Sequence, residues 1–471
     1  MIQSFKQIPV TATSHPQATA RGVCHLDARG YVEEEYFMEG TANVYERDGD
    51  RAIVRYADAP YVNRLLVRRP ADPAKASGRV VVEILNATSA KDIDRMWVLT
   101  HELFLRNGDI WVGITSKPSS ICAMQKLAPE RYAPLHWTNP EPRYLPQFLR
   151  ERHEFCGPIR AESETGLFWD MLTDTAHAIR SGALPLGSKI NYVYLIGWSQ
   201  STIYMVQYLN YFAYRDGGKS PFDGYFSGGG VRSLAPALNQ YAIPECAGEY
   251  GTILHRVSEP YIAVQTESEN YALGNEVVRQ PDSDDPNFKY RIYDVPGATH
   301  DCQQTMQDYY RDDPDQYALG IVLAYPAKDA LPNNYPSMFA FHRGCDMMYR
   351  WAEQDEVPIR MPRIEVGFND QNVRDFDGNA IGGWRLPAID VPVCMYYPFP
   401  DQLQPSVFSL YGARYPFPPE KLLARYGSLA DLRAAVEQSA KQAVADGRLM
   451  AEDYDACVAF SVGEAARYGL C

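Results

Sequence analysis

The residues that could do chemistry together begin at Gly197, Trp198, Ser199, Gln200 and Ser201. The run before them, NYVYLIG from Asn191 to Gly197, is apolar and aromatic, and TIYMVQYLNYF after them is apolar with helical length. The pentapeptide therefore sits where a strand hands over to a helix. A small residue two positions before the serine, and another two after it, permit a strained turn that lifts the Ser199 hydroxyl above the sheet. A serine hydroxyl is a weak nucleophile at neutral pH and needs an adjacent base, itself oriented by a carboxylate. Of nine histidines, His300 is the best placed as that base, because VPGATH follows the strand-like run KYRIYDV on a loop that a glycine can bend. His101 and His177 fall in helical stretches, and His136 and His153 in a segment without periodicity. The carboxylate should follow the preceding strand, PYIAVQT, where Glu267 and Glu269 stand. Strand-loop-acid register favours Glu269, with Glu267 left to hold the loop.

Attack by Ser199 would develop negative charge on a carbonyl oxygen, which two preorganised N–H groups must receive. Gln200 offers one, and the NATS turn after VVVEIL offers the other through the backbone of Ala87 or Thr88, with Asn86 shaping the turn beside the substrate. Trp198 next to the nucleophile and Trp137, with Tyr132 and Tyr144, are candidate substrate contacts and point to an apolar or aromatic molecule. Other chemistry finds less support. The SGGG run from Ser227 lacks the lysine and hydroxyl residue of a phosphate loop, and no GxGxxG follows a strand, so no nucleotide cofactor is expected. Asp282, Asp284 and Asp285 in PDSDD read as a solvated loop, not a calcium site. Cys302 lies beside His300 but has no strand-turn-helix context of its own.

These residues need a parallel sheet to hold them. RVVVEILN (Arg79 to Asn86), a helix-like stretch from Met96 to Leu105, and DIWVGIT (Asp109 to Thr115) form a strand-helix-strand unit, which implies parallel strands with the helix on one face. GLFWDMLTDTAHAIRS follows as a helix with Leu167, Met171, Leu172 and Ile179 on one face. Residues 116–163, rich in Pro, Tyr, His and Arg, read as a lid or cap insertion, and 225–255 as a second cap segment. From residue 418 to 471 the chain is helical, with Ser428 and Asp431 forming a capping-box-like start and Leu432, Val436, Ala440 and Val444 recurring every four residues. Because the chemistry is spread from the eighties to beyond residue 300, residues 1–471 are expected to form a single domain.

The chain carries a net charge of -14, with 59 acidic against 45 basic side chains. That balance, without a Lys/Arg block, argues against a nucleic-acid partner and disfavours anionic membranes. No stretch of about 18 apolar residues suggests a membrane span. Cysteines are odd in number at nine and show no CxxC spacing, so neither a metal site nor a disulfide framework is expected, and a reduced, cytoplasmic setting fits best. A homo-oligomer stays open.

Together VVVEILN, NGDIWVGIT, APERYAPL, GWSQS, FDGYFSGGG, VQTESE with RQPDSD, VPGATH, PRIEV and DGNAIGGWRLPAIDVPV resemble the α/β-hydrolase superfamily, in particular its alpha/beta hydrolase domain proteins, nearly end to end. The resemblance implies an α/β-hydrolase fold: a mostly parallel sheet flanked by helices, with a Ser-acid-His site, an SxS elbow as a normal variant, and C-terminal segments within the same domain. Where that family carries Glu then Asp in the acid loop, this chain has Glu267 and Glu269. The expected reaction is hydrolysis of a carboxylic ester or lactone through an acyl-enzyme on Ser199. An acyltransferase or other non-hydrolytic enzyme on the same fold, and an inactive binding scaffold, are the alternatives.

Overall fold

The computed structural model describes residues 1–17, 24–142, 161–215, 217–230, 238–240, 253–272, 280–310, 313–319, 330–368, 371–400 and 410–471. Ten strands lie along one sheet. They are β1 (Ile2–Gln7), β2 (Tyr31–Asp48), β3 (Arg51–Pro70), β4 (Arg79–Ile84), β5 (Ile110–Ile114), β7 (Tyr192–Trp198), β8 (Gly224–Gly228), β9 (Val257–Thr266), β10 (Ser283–Asp285) and β11 (Phe288–Val295), while the short β6 (His136–Trp137) pairs beside β3. Their order is β1-β2-β3-β5-β4-β7-β8-β9-β11-β10. The run from β5 to β11 is parallel, and β1, β2, β3 and β10 join antiparallel at the edges.

The central strands are buried on both faces, which is why they read as unbroken apolar runs. Successive side chains point to opposite sides. Val80, Val82, Val193 and Leu195 enter one apolar layer, while Val81, Tyr194 and Ile196 enter the other. Helices α1 (Arg95–Asn107) and α6 (Met338–Gln354) cover the second layer, and α3 (Phe168–Ser181) and α4 (Gln200–Tyr211) cover the first; α2 (Pro118–Leu127) and α5 (Glu267–Ala272) lie in the loops between them. The expected strands from Arg79, Asp109, Asn191, Pro260 and Lys289 are all present. At the carboxyl end, α7 (Pro419–Tyr426), α8 (Leu429–Ala445) and α9 (Tyr454–Arg467) pack on the second layer through Leu422, Leu432, Val436, Ala440 and Val462. Ser428 caps α8 by accepting the Asp431 N–H at 3.1 Å.

Several segments differ from the sequence reading. The long hairpin of β2 and β3, turning at Gly49, occupies residues that carried no expected element. The acidic PDSDD run is not a solvated loop: Ser283 to Asp285 add an edge strand to β11, and Asp284 pairs with Arg291 and Arg360. The 225–255 segment begins inside the sheet as β8, buried along its length, and its stretches 231–237 and 241–252 lie outside the described residues. Of 116–163, residues 118–137 form α2, a short helical turn and β6, and 143–160 lie outside the described residues, with Tyr144 and His153 among them.

Candidate active site

Ser199 alone separates the end of β7 from the start of α4, and it takes φ 55° and ψ −116°. A non-glycine residue stays in that region only when its surroundings fix it. Here they do: the Ser199 N–H donates to Gly228 O at 2.9 Å, and its carbonyl accepts the Thr202 N–H at 2.9 Å. The turn is tight enough to dictate its neighbours. A Cβ on Gly197 would stand 3.0 Å from the Ser201 Cβ, so a side chain at 197 would push on residue 201, and both positions favour small residues. The SGGG run serves the same turn. A Cβ on Gly228 or Gly229 would lie 2.7 Å from the Trp198 indole, so these glycines make room for the residue preceding the serine.

His300 is buried, and its Nδ1 stands 2.6 Å from Glu269 Oε1. The other carboxylate oxygen of Glu269 accepts the Thr266 N–H at 2.5 Å. The imidazole lies against the Trp198 ring, with centroids 5.1 Å apart, which brings the histidine loop to the elbow. Glu267 goes elsewhere. It accepts the Gly297 N–H at 2.8 Å and pairs with Arg374. Between the two glutamates, the Ser268 hydroxyl accepts the His300 N–H at 3.1 Å and donates to Pro398 O at 3.2 Å. All three residues of the Glu-Ser-Glu run thus grip the histidine loop, each by a different atom.

That loop is also held from the carboxyl-terminal third. Asp301 donates its N–H to Leu410 O at 3.0 Å and accepts from Gly412, while the Asn333 amide donates to Gly297 O at 2.9 Å. The Asp301 carboxylate pairs with Arg95 at 2.9 Å. Cys302 is buried and hydrogen-bonded to Thr305, and burial pushes its thiol up, away from reactivity.

The turn after β4 carries the remaining residues. Asn86 bridges it to the elbow: Nδ2 donates to Trp198 O at 3.0 Å, and Oδ1 accepts the Thr88 N–H at 2.9 Å. The Thr88 amide is thereby engaged, which leaves Ala87 of the two candidate donors. Gln200 opens α4, so its N–H has no acceptor within its own helix. Under this turn lies Glu83, whose carboxylate accepts the N–H groups of Met96 and Trp97 at the start of α1 and the Trp111 indole N–H. Trp137 is placed away from these groups. It is 1 % exposed, stacks with Phe168 at 6.3 Å and donates to Asn63 at 3.2 Å, within the layer under β3. Tyr132 is buried too, its hydroxyl donating to Glu35 at 3.0 Å.

The chain belongs to the alpha/beta hydrolase domain family, whose model matches residues 4–459. A comparison with curated proteins finds no match. Among solved structures, the match to esterase Est22 with p-nitrophenol spans 50% of this chain and 64% of that one, at 11% identity and a TM-score of 0.29. A second Est22 structure matches over 63% and 82%, at 12% identity and 0.32. Fungal esterases from Rhizomucor miehei match over 62% and 81%, at 11% identity and 0.33. No helix of the described residues is long and apolar enough to cross a membrane.

Proposed function

We propose that this protein is a serine hydrolase that cleaves a carboxylic ester. Ser199 attacks the ester carbonyl while His300 Nε2 takes its proton, and Glu269 holds Nδ1 and stabilises the imidazolium that forms. The Gln200 and Ala87 N–H groups receive the oxyanion. His300 then returns the proton to the leaving alcohol, and water hydrolyses the acyl-enzyme by the same steps in reverse order. The observation that carries the reading is the buried 2.6 Å contact between His300 Nδ1 and Glu269 Oε1 beside a serine in a strained strand-to-helix turn. Glu267 acts as a loop clasp, and Asn86 as a positioning residue between the two amide donors. The Trp198 indole, packed on His300, belongs to the support of the site as well as its wall.

The test is labelling with a fluorophosphonate, mapped by peptide mass, on wild type, Ser199→Ala and His300→Ala. Labelling at Ser199 that both substitutions abolish is the expected result. A folded wild type that takes no label defeats the reading and leaves a binding scaffold on the same fold.

A further inference from the structure

Beside this site stand three donors without an acceptor among the described residues, two of them, on Arg95 and Tyr310, at buried atoms. Lys91, at the end of the turn that begins with Ala87, is 4 % exposed, and its Nζ rests over the Tyr310 ring, 5.4 Å from the centroid, with no hydrogen bond or ion pair among the described residues. Arg95 opens α1 and is also buried; its Nη2 reaches Asp301 Oδ1 and Met306 Sδ, but its Nη1 has no partner among the described residues. The Tyr310 hydroxyl is buried and has none among the described residues either. The Arg95 guanidinium also lies over the Trp198 ring at 5.9 Å. It thus touches the residue before Ser199 and the residue after His300.

Burying a guanidinium N–H and a hydroxyl without acceptors is unfavourable, and such groups normally find partners. The nearby carboxylates face other partners, although one oxygen each of Asp92 and Asp94 has none among the described residues. Asp94 pairs with Arg68, Asp92 with Arg64 and Thr115, Asp301 with Arg95, and Asp313 accepts the Asp315 N–H. Burial pushes the Lys91 ammonium down to about 8; Asp313 and Asp94 offset this in part, and Arg95 adds to it.

We infer that Lys91, Arg95 and Tyr310 form a subsite for a carboxylate, and that the ester cleaved at Ser199 carries a free carboxylate besides its scissile bond. The second clause rests on the serine hydrolase reading; the first does not. A carboxylate brings one negative charge and two acceptor oxygens, which suit one ammonium, one guanidinium N–H and one hydroxyl. A phosphate dianion would add a charge opposite Asp301 and Asp313, with no further donor to receive it.

Two ester pairs test the substrate. Mono-4-nitrophenyl glutarate against 4-nitrophenyl pentanoate varies the acyl end, and 4-acetoxybenzoate against phenyl acetate varies the leaving group. Wild type should favour the charged member of one pair in kcat/KM by about tenfold or more, as a charge-assisted hydrogen bond implies, and Lys91→Met should remove most of that preference. Tyr310→Phe should remove less, and Lys126→Met, on the exposed end of α2, none. Calorimetric titration with benzoate, and separately with inorganic phosphate, reads the subsite without turnover. Benzoate should bind wild type, with Lys91→Met about tenfold weaker.

The outcomes separate the two readings. Turnover of the neutral esters with no preference in either pair and no benzoate binding overturns the carboxylate subsite and keeps the hydrolase. Benzoate binding that needs Lys91, without turnover of any ester, keeps the subsite and removes the hydrolase. Phosphate bound more tightly than benzoate overturns the choice of carboxylate.

Discussion

Glu269 and His300 form a closed pair: one carboxylate oxygen faces Nδ1 at 2.6 Å, and the other is taken by the Thr266 N–H. Glu267, two residues earlier, faces Gly297 and Arg374. Two glutamates on one short turn therefore do separable work. Glu269→Gln should lower kcat/KM for an aryl ester by about a hundredfold to ten-thousandfold, since the imidazole loses the partner that fixes its tautomer. Glu267→Gln should instead cost about 3 kcal/mol of stability through the broken Arg374 pair, read by chemical denaturation. The opposite pattern would mean the acid has been assigned to the wrong residue.

Asn86 joins the turn after β4 to the end of β7 through both ends of its amide. Asn86→Asp keeps the acceptor and loses the donor to Trp198 O. The two amide donors then lose their common spacer, and kcat should fall by about tenfold to a hundredfold with KM little changed, as expected for a misplacement of the order of an ångström. A variant that changes KM alone would move Asn86 from positioning to substrate contact.

Steric limits at the elbow give a third expectation. Ser201→Gly enlarges the space beside Gly197 and should cost about 0.5–1 kcal/mol, the usual penalty of glycine in a helix, with labelling at Ser199 retained. Gly197→Ala places a Cβ 3.0 Å from Ser201 Cβ and should slow labelling at Ser199. Unslowed labelling in Gly197→Ala would show that the turn relaxes more freely than its geometry suggests.

Glu83 gives a pH dependence of stability. Burial pushes its carboxyl up to about 8, Asp94 adds to the rise, and the Met96, Trp111 and Trp97 N–H donors oppose it. The folded chain then holds a proton more tightly than the unfolded one, so Glu83 contributes fully below its unfolded value of about 4.3, and that contribution is lost as pH rises through about 8. Unfolding free energy of wild type should fall between pH 5 and 9 relative to Glu83→Gln, measured by urea titration at each pH. A constant difference would show that the carboxylate stays ionised throughout.

The central strands were legible because they are buried on both faces, and β7 with its flanking Gly197 and Ser201 announced the turn around Ser199. The β2–β3 hairpin was not. Its interior carries Arg64 and Arg68, each about 1 % exposed, paired with Glu35, Asp92, Glu33 and Asp94. Ion pairs buried in a sheet look like surface in one dimension, and only the Asp-Gly at the turn signalled the hairpin. The PDSDD run misled for a different reason: an exposed edge strand rich in acids looks like a loop, and its pairing with β11 and with Arg291 and Arg360 appears only in the fold. Trp137 reads as a wall of the site until its stacking on Phe168 is seen. The donors Lys91, Arg95 and Tyr310 were invisible as a group, because the turn after β4 and the residues following His300 meet only in the folded chain.

The histidine loop leans on Leu410 and Gly412, and its acid turn on Arg374. During synthesis the chain leaves the ribosome from its amino end, with folding following emergence. Ser199, Glu269 and His300 are all out long before the segments that brace the last two, and α6 must be translated in between. A nascent chain therefore exposes its serine well before the imidazole is held in place, and the order of the supports along the chain delays that bracing until residues 374–412 have emerged.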